Sequence, residues 1–190
     1  KRLSLYLFLI LFTLQTPSQA DDIRDFQIEG MSIGDSALDY LSKDQIQNSR
    51  RYDYKSDKYY NVDIKDLNLS SYDSLQLYFK GNDDQYVIHG LVGILFFGKK
   101  YKECLKEMKI IEKELDDLFT GSKKRKNNKP HADDPKSKHT GIAYDVSGSS
   151  IFLQCVHWSA SKRKKDNLED NLKVSILTSD LLNWFSTEAY

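Results

Sequence analysis

The chain has 190 residues with 28 basic and 28 acidic side chains, so its formal charge is zero. That balance argues against a general nucleic-acid binder, which carries a clear basic excess. The length suits one domain that can bury a core without many covalent staples.

The first twenty residues, KRLSLYLFLILFTLQTPSQA, have the layout of a cleavable secretory signal peptide. Lys1 and Arg2 form a positive start and Leu3 to Leu14 an apolar run broken only by Ser4 and Thr13. Pro17 precedes a small-x-small ending, Ser18-Gln19-Ala20. The run is too short for a bilayer span, which takes roughly 20 apolar residues. No cysteine follows the expected cleavage site, which argues against a lipid anchor. Residues 21–190 then form the mature chain, formally −2 because the leader holds two basic residues and no acidic one. It has no second apolar stretch of membrane-spanning length, so no transmembrane span is expected in it. The expected location is outside the cytoplasm, periplasmic or secreted.

In chain order, Ser32 and Asp35 have capping-box spacing, and Ile33, Ala37, Leu38 and Leu41 share a helical face, predicting a helix over about 33–47. A polar stretch at 48–58 reads as a loop. Strands follow over 59–65 and 74–80, where Leu75, Leu77 and Phe79 alternate to one side. Turn residues Gly81-Asn82-Asp83-Asp84 lead into an apolar run at 85–97, giving a hairpin. Gly90 and Gly93 in that run suggest a bulge or the close approach of another group. Residues 99–119 carry the strongest signal: Tyr101, Cys104, Leu105, Met108, Ile111, Leu115 and Leu118 make one helical stripe, and Gly121 sits where a helix-ending glycine belongs. The polar segment 121–139 reads as a mobile basic loop. Strands over 142–146 and 150–158 follow, joined at Ser147-Gly148. Then come a charged loop at 162–170, a strand at 172–177, and a short terminal helix capped by Thr178. The expected fold is α+β: a mostly antiparallel sheet of five to six strands with helices packed on one face.

Cys104 and Cys155 are the only cysteines. In an oxidising compartment they are expected to form one disulfide.

The block IRDFQIEGMSIGDSALDYLSKDQI, residues 23–46, resembles one found in uncharacterised small exported proteins of marine bacteria. The resemblance extends to Cys104, to Cys155 ahead of Trp158, and to the closing Glu188-Ala189-Tyr190. It implies an exported bacterial protein and carries no activity. Gly30-Met31-Ser32 opening a helix before an antiparallel sheet is also similar to small outer-membrane assembly proteins, although their usual lipidated cysteine has no counterpart here.

Candidate chemistry is sparse. Gly34-Asp35-Ser36 resembles the nucleophile motif of GDSL hydrolases, but helical apolar spacing runs through Ser36, and their Asp-x-x-His pair occurs at none of His89, His131, His139 or His157. His131, Asp133, Asp134 and His139 have zinc-compatible donors without a regular element to hold them, so no metal or cofactor is expected. Two basic clusters, Lys123, Lys124, Arg125 and Lys126 with Lys129, and Lys162, Arg163, Lys164 and Lys165, are candidates for an anion-binding surface facing lipid headgroups or polyanions. Tyr52, Tyr54, Tyr59 and Tyr60 between basic residues resemble a stacking platform, yet tyrosine also suits strands. The reading is a non-catalytic exported protein that binds another envelope protein or an anionic envelope component, with no nucleic acid expected. The alternative is a periplasmic hydrolase whose site forms only on folding, using His89 or His157 beside acidic residues.

Overall fold

A computed structural model of the protein describes residues 23–190 apart from 52, 66, 132 and 133. The leader segment, Tyr52 and Asp133 lie outside the described residues.

The fold is α+β, built on one antiparallel sheet. Its strands are β1 (Arg50–Arg51), β2 (Tyr59–Ile64), β3 (Ser74–Lys80), β4 (Gly90–Gly98), β5 (Lys123–His131), β6 (Asp134–Val146), β7 (Ser149–His157) and β8 (Asp170–Thr178). The helices are α1 (Lys43–Asn48), α2 (Tyr101–Leu118), α3 (Ala160–Asp166) and α4 (Ser179–Thr187). The strand order is β1-β2-β3-β4-β8-β7-β6-β5, so two four-stranded meanders meet at β4 and β8. Eight strands replace the five to six expected, mainly because 121–139 is not a loop: β5 and the start of β6 form a hairpin.

Alternation sorts the side chains to two sides. Val62, Leu75, Leu77, Leu91, Ile151, Leu153, Val174 and Ile176 join Cys104, Met108, Ile111 and Leu115 of α2 in the main core. Tyr59, Tyr78 and Val92 belong to a second, smaller cluster with Leu181 and Trp184 of α4. Because adjacent strand residues such as Leu77 and Tyr78, or Leu91 and Val92, fall into different clusters, α2 and α4 cover opposite faces. Helices packed on one face are therefore not what forms: α2 lies on one side of the sheet and α4 on the other. Beneath α2, the Sγ atoms of Cys104 and Cys155 stand 2.00 Å apart, at disulfide distance, tying the first turn of the helix to β7.

The helix expected at 33–47 is replaced by a 3-10 turn at Ala37–Asp39 and the short α1. Gly34 takes φ +93°, a left-handed conformation that ends helical continuity. Backbone bonds from Gly34 N to Ile88 O and from Ile88 N to Asp35 O lash the segment to residues 86–88 instead. The full capping box forms further along, between Ser42 and Gln45, while of the expected pair the Ser32 backbone N–H donates to Asp35 Oδ2 at 2.8 Å. At Gly93 a Cβ would meet the Tyr72 ring at 2.5 Å, so this glycine marks the close approach expected from its place in a strand.

Both sheet edges are guarded against pairing with another chain. β1 has two residues, both arginine. β5 reads KKRKNNKPH, and its lysines and proline make a poor template for a further strand.

Candidate functional site

The most connected polar cluster sits at one end of the sheet, near the start of α2. Asp170 opens β8 and its side chain is 0% exposed. Its carboxylate accepts from Nδ1 of His157 at 2.9 Å, from the Trp158 backbone N–H at 3.1 Å, and from Nη2 of Arg163. Three elements supply these groups: His157 ends β7, Arg163 comes from α3, and Asp170 begins β8. The His157 ring packs against Tyr101 with centroids 5.0 Å apart, and the Tyr101 hydroxyl donates to Oγ1 of Thr140 at 2.7 Å. Beside the cluster, Asp134 accepts from Ser137 Oγ at 2.6 Å and from Ser159 Oγ. Ser159 also caps α3, accepting from Lys162 N at 3.2 Å.

Chemically, a buried carboxylate holding a histidine through Nδ1 leaves Nε2 as the reactive edge, the arrangement a general base needs. A hydrolase also needs a nucleophile and a water-excluding cavity. Here the nearby serine hydroxyls, Ser137 and Ser159, are engaged with Asp134. Shallow depressions among the described residues lie elsewhere, one along Lys109, Ile110 and Lys113 and one between Arg50, Tyr60 and Asp83. His89, the other histidine considered, meets Tyr59 edge-on at 5.5 Å, and its pKa is lowered by burial and then by Lys80. Ser36 donates to Gln85 O at 2.7 Å in an exposed turn.

The proposed anion surface is divided and largely neutralised. Alternation along β5 sends Lys124 and Lys126 towards α2, where Glu112 and Asp116 receive them, whereas Arg125 bonds Asp145 at 2.6 Å. Burial depresses the Lys124 ammonium, but hydrogen bonds to Asp116 and Glu112 outweigh it and leave the pKa well above its usual value. Lys162 pairs with Asp166 at 2.7 Å, and Arg163 is absorbed by Asp170. Lys123, Lys164 and Lys165 remain exposed. They do not form one patch, because Lys123 opens β5 opposite Asp145 whereas α3 follows the end of β7, which pairs with Lys138 at the other end of β6.

The tyrosine platform does not assemble either. Tyr54 packs edge-on and Tyr59 packs tilted against Trp184 of α4, at 4.9 and 5.3 Å, while Tyr60 faces the main core. Among the described residues no three His, Cys, Asp or Glu side chains group as a metal site, and no helix is long and apolar enough to cross a membrane.

Sequence reasoning passed over a second region, the face carrying α4. The α4 cluster involves the end of that face near Tyr78, Val92 and Leu177. Beyond it lies Lys173 of β8, flanked by Ile94 of β4 and Gln154 of β7 in the strand register. Phe152 and Val156 of β7, Asn171 and Ser175 of β8, and His139 of β6 share this side by alternation, opposite the Leu153, Cys155, Val174 and Ile142 positions of the main core. Phe96 stands at its rim, 44% exposed. Three polar atoms here are buried without a hydrogen-bond partner: His139 Nε2, Asn171 Oδ1 and Trp158 Nε1. A lone lysine in a strand of alternating apolar residues carries no sequence signal beyond that of a solvent-facing position, which is why it drew no attention.

No family model, curated protein or solved structure matches the chain.

Proposed function

We propose that this is an exported, non-catalytic protein that binds a partner or envelope component through the α4-side face of its sheet. The observation that carries the reading is the contrast between the two polar regions. Around Asp170 the charged groups pair with one another and pin α3 to β7 and β8, leaving Nε of Arg163 as the one buried charged-group atom there without a partner among the described residues. On the α4 side, Lys173 and three buried polar atoms lack partners among the described residues, although buried polar groups in native proteins are overwhelmingly paired. Exposed Phe96 and partly buried Ile94 and Phe152 supply the apolar contact area that binding surfaces combine with such groups. The presumption of export rests on the leader-like opening and accords with the cysteine pair.

The test is photo-crosslinking in living cells, with a photoreactive residue placed at Phe152 and, as a control, at Ile110 on the outer side of α2. The reading expects a discrete adduct from position 152 and none from 110. No adduct at 152, or equal adducts at both, contradicts it.

The His157–Asp170 contact favours a second reading, a periplasmic hydrolase with His157 as general base. An ester-hydrolysis assay comparing the protein with His157→Ala decides it: a rate above background that the substitution abolishes supports the enzyme, and equal background rates remove it.

A further inference from the structure

The outer side of α2 carries a charge pattern that the fold leaves unused. Lys102, Lys106, Lys109 and Lys113 recur at helical spacing, and all four are exposed. At 3.6 residues per turn they fall within an arc of about 60°, opposite the buried Cys104, Met108, Ile111 and Leu115, and span about 16 Å of the helix crest. Among the described residues none of these four side chains has an ion-pair or hydrogen-bond partner. The ion pairs of this helix involve other groups: Lys100 with Glu103, and Glu112 and Asp116 with Lys124 and Lys126 of β5.

Like charges four residues apart, as in Lys102–Lys106 and Lys109–Lys113, weaken a helix slightly. A helix face that meets only water tends instead to alternate in sign, so that neighbours pair. On α2 the signs are segregated: Glu103, Glu107 and Glu114 collect on one flank, half-buried, and only Asp117, one turn past Lys113, ends the row with an exposed acid. The zero net charge of the chain thus conceals a basic crest. A convex crest has no groove to enclose a small ligand, so its complement is an extended anionic surface. Ile110, 52% exposed, stands beside the row, between Lys106 and Lys113 along the helix. A soluble polyanion offers that side chain nothing, whereas the headgroup layer of a bilayer admits an apolar residue beside lysines.

We propose that the crest of α2 docks the folded protein on the surface of a bilayer containing anionic phospholipid, with Lys102, Lys106, Lys109 and Lys113 over the headgroups and Ile110 reaching the acyl boundary. The opposite face of α2 stays in the core, so the helix lies on the bilayer and does not enter it. Because α2 and α4 cover opposite sides of the sheet, the α4-side face is left free, and this proposal stands apart from the binding reading above. A bilayer yields no discrete protein adduct, so Ile110 keeps its place as the crosslinking control.

The experiment floats the full mature chain with vesicles of phosphatidylcholine alone or mixed with phosphatidylglycerol, at low and at high salt. Lys106→Gln/Lys109→Gln removes two charges from the middle of the crest. Lys164→Gln/Lys165→Gln removes two exposed charges from α3 and matches the change in net charge. Ile110→Ser removes the apolar contact. Circular dichroism and melting curves check that each variant folds. Expected is binding to the mixed vesicles alone, lost at high salt. The crest pair should bind about thirtyfold more weakly at low salt and Ile110→Ser several-fold more weakly, with the α3 pair like wild type. No binding to mixed vesicles, a folded crest pair that binds no worse than the α3 pair, or an Ile110→Ser variant that binds like wild type overturns the proposal. So does binding of soluble polyphosphate at the crest lysines without binding to vesicles, which assigns the crest to a polyanion. An adduct at Phe152 in cells, present or absent, bears on the partner reading alone.

Discussion

Removing the bridge between Cys104 and Cys155 tests how the two layers are held together. The cysteines are 51 residues apart in sequence, and between them lie most of α2 and all of β5 and β6. In the chain-entropy treatment, opening a loop of that length adds about 14 cal/mol/K to the unfolded state, or about 4 kcal/mol at 25 °C. Native-state losses should be small, because both side chains are fully buried among apolar neighbours and alanine or serine fits without overpacking. For a domain of this size each kcal/mol moves the melting temperature by roughly 2–4 °C. The double variant Cys104→Ala/Cys155→Ala should therefore melt about 8–16 °C lower than the oxidised protein. Wild-type protein fully reduced with a phosphine should melt within a few degrees of the variant. Thermal unfolding followed by circular dichroism reads both. A variant that melts within 2 °C of oxidised wild type would refute the reasoning that the bridge stabilises by restricting the unfolded chain.

Three further outcomes follow from single groups. Arg163→Ala leaves the fully buried Asp170 with only His157 and a backbone N–H, and should cost about 3–5 kcal/mol. Adding Asp170→Asn should recover part of that loss, read by urea unfolding. Gly93→Ala drives a methyl group into the Tyr72 ring and should cost about 1–3 kcal/mol, with Gly93→Ala/Tyr72→Leu recovering stability. Burial pushes the Glu29 carboxyl up, but the N–H groups of Ser70, Ser71 and Tyr72 and the Ser70 hydroxyl together bring its pKa below the ordinary 4.5. Its contribution is thus present above the ordinary carboxylate range and lost as pH falls through the lowered value. Glu29→Gln should lower stability at pH 7 and flatten the fall in stability on acidification; parallel wild-type and variant curves would contradict that assignment.

Elements that bury a stripe or an alternating row were legible in the sequence. The α2 stripe and the Leu75, Leu77, Phe79 row of β3 are visible because burial imposes their spacing. β5 was not, since an edge strand pairs through its backbone and its side chains answer to solvent and to the need to repel other edges. α3, with the sequence ASKRKKD, buries no residue and is set by the Ser159 cap and the Arg163 contact, so no apolar period announced it. The false helix at 33–47 came from spacing that Gly34 overrides. For the site, His157 was singled out from its strand position, but Asp170 was read as the end of a loop. The residues flanking Lys173 come from β4 and β7, and only the order in which the two meanders join brings β4 beside β8.

The account depends most on the chain working outside the cytoplasm with its opening segment removed. The direct measurement is the intact mass and first residue of the protein recovered from fractionated native cells. The account predicts a chain starting at Asp21, two mass units lighter than its reduced form, in the periplasmic or secreted fraction. A chain that retains residues 1–20, or one found reduced in the cytosol, would contradict it.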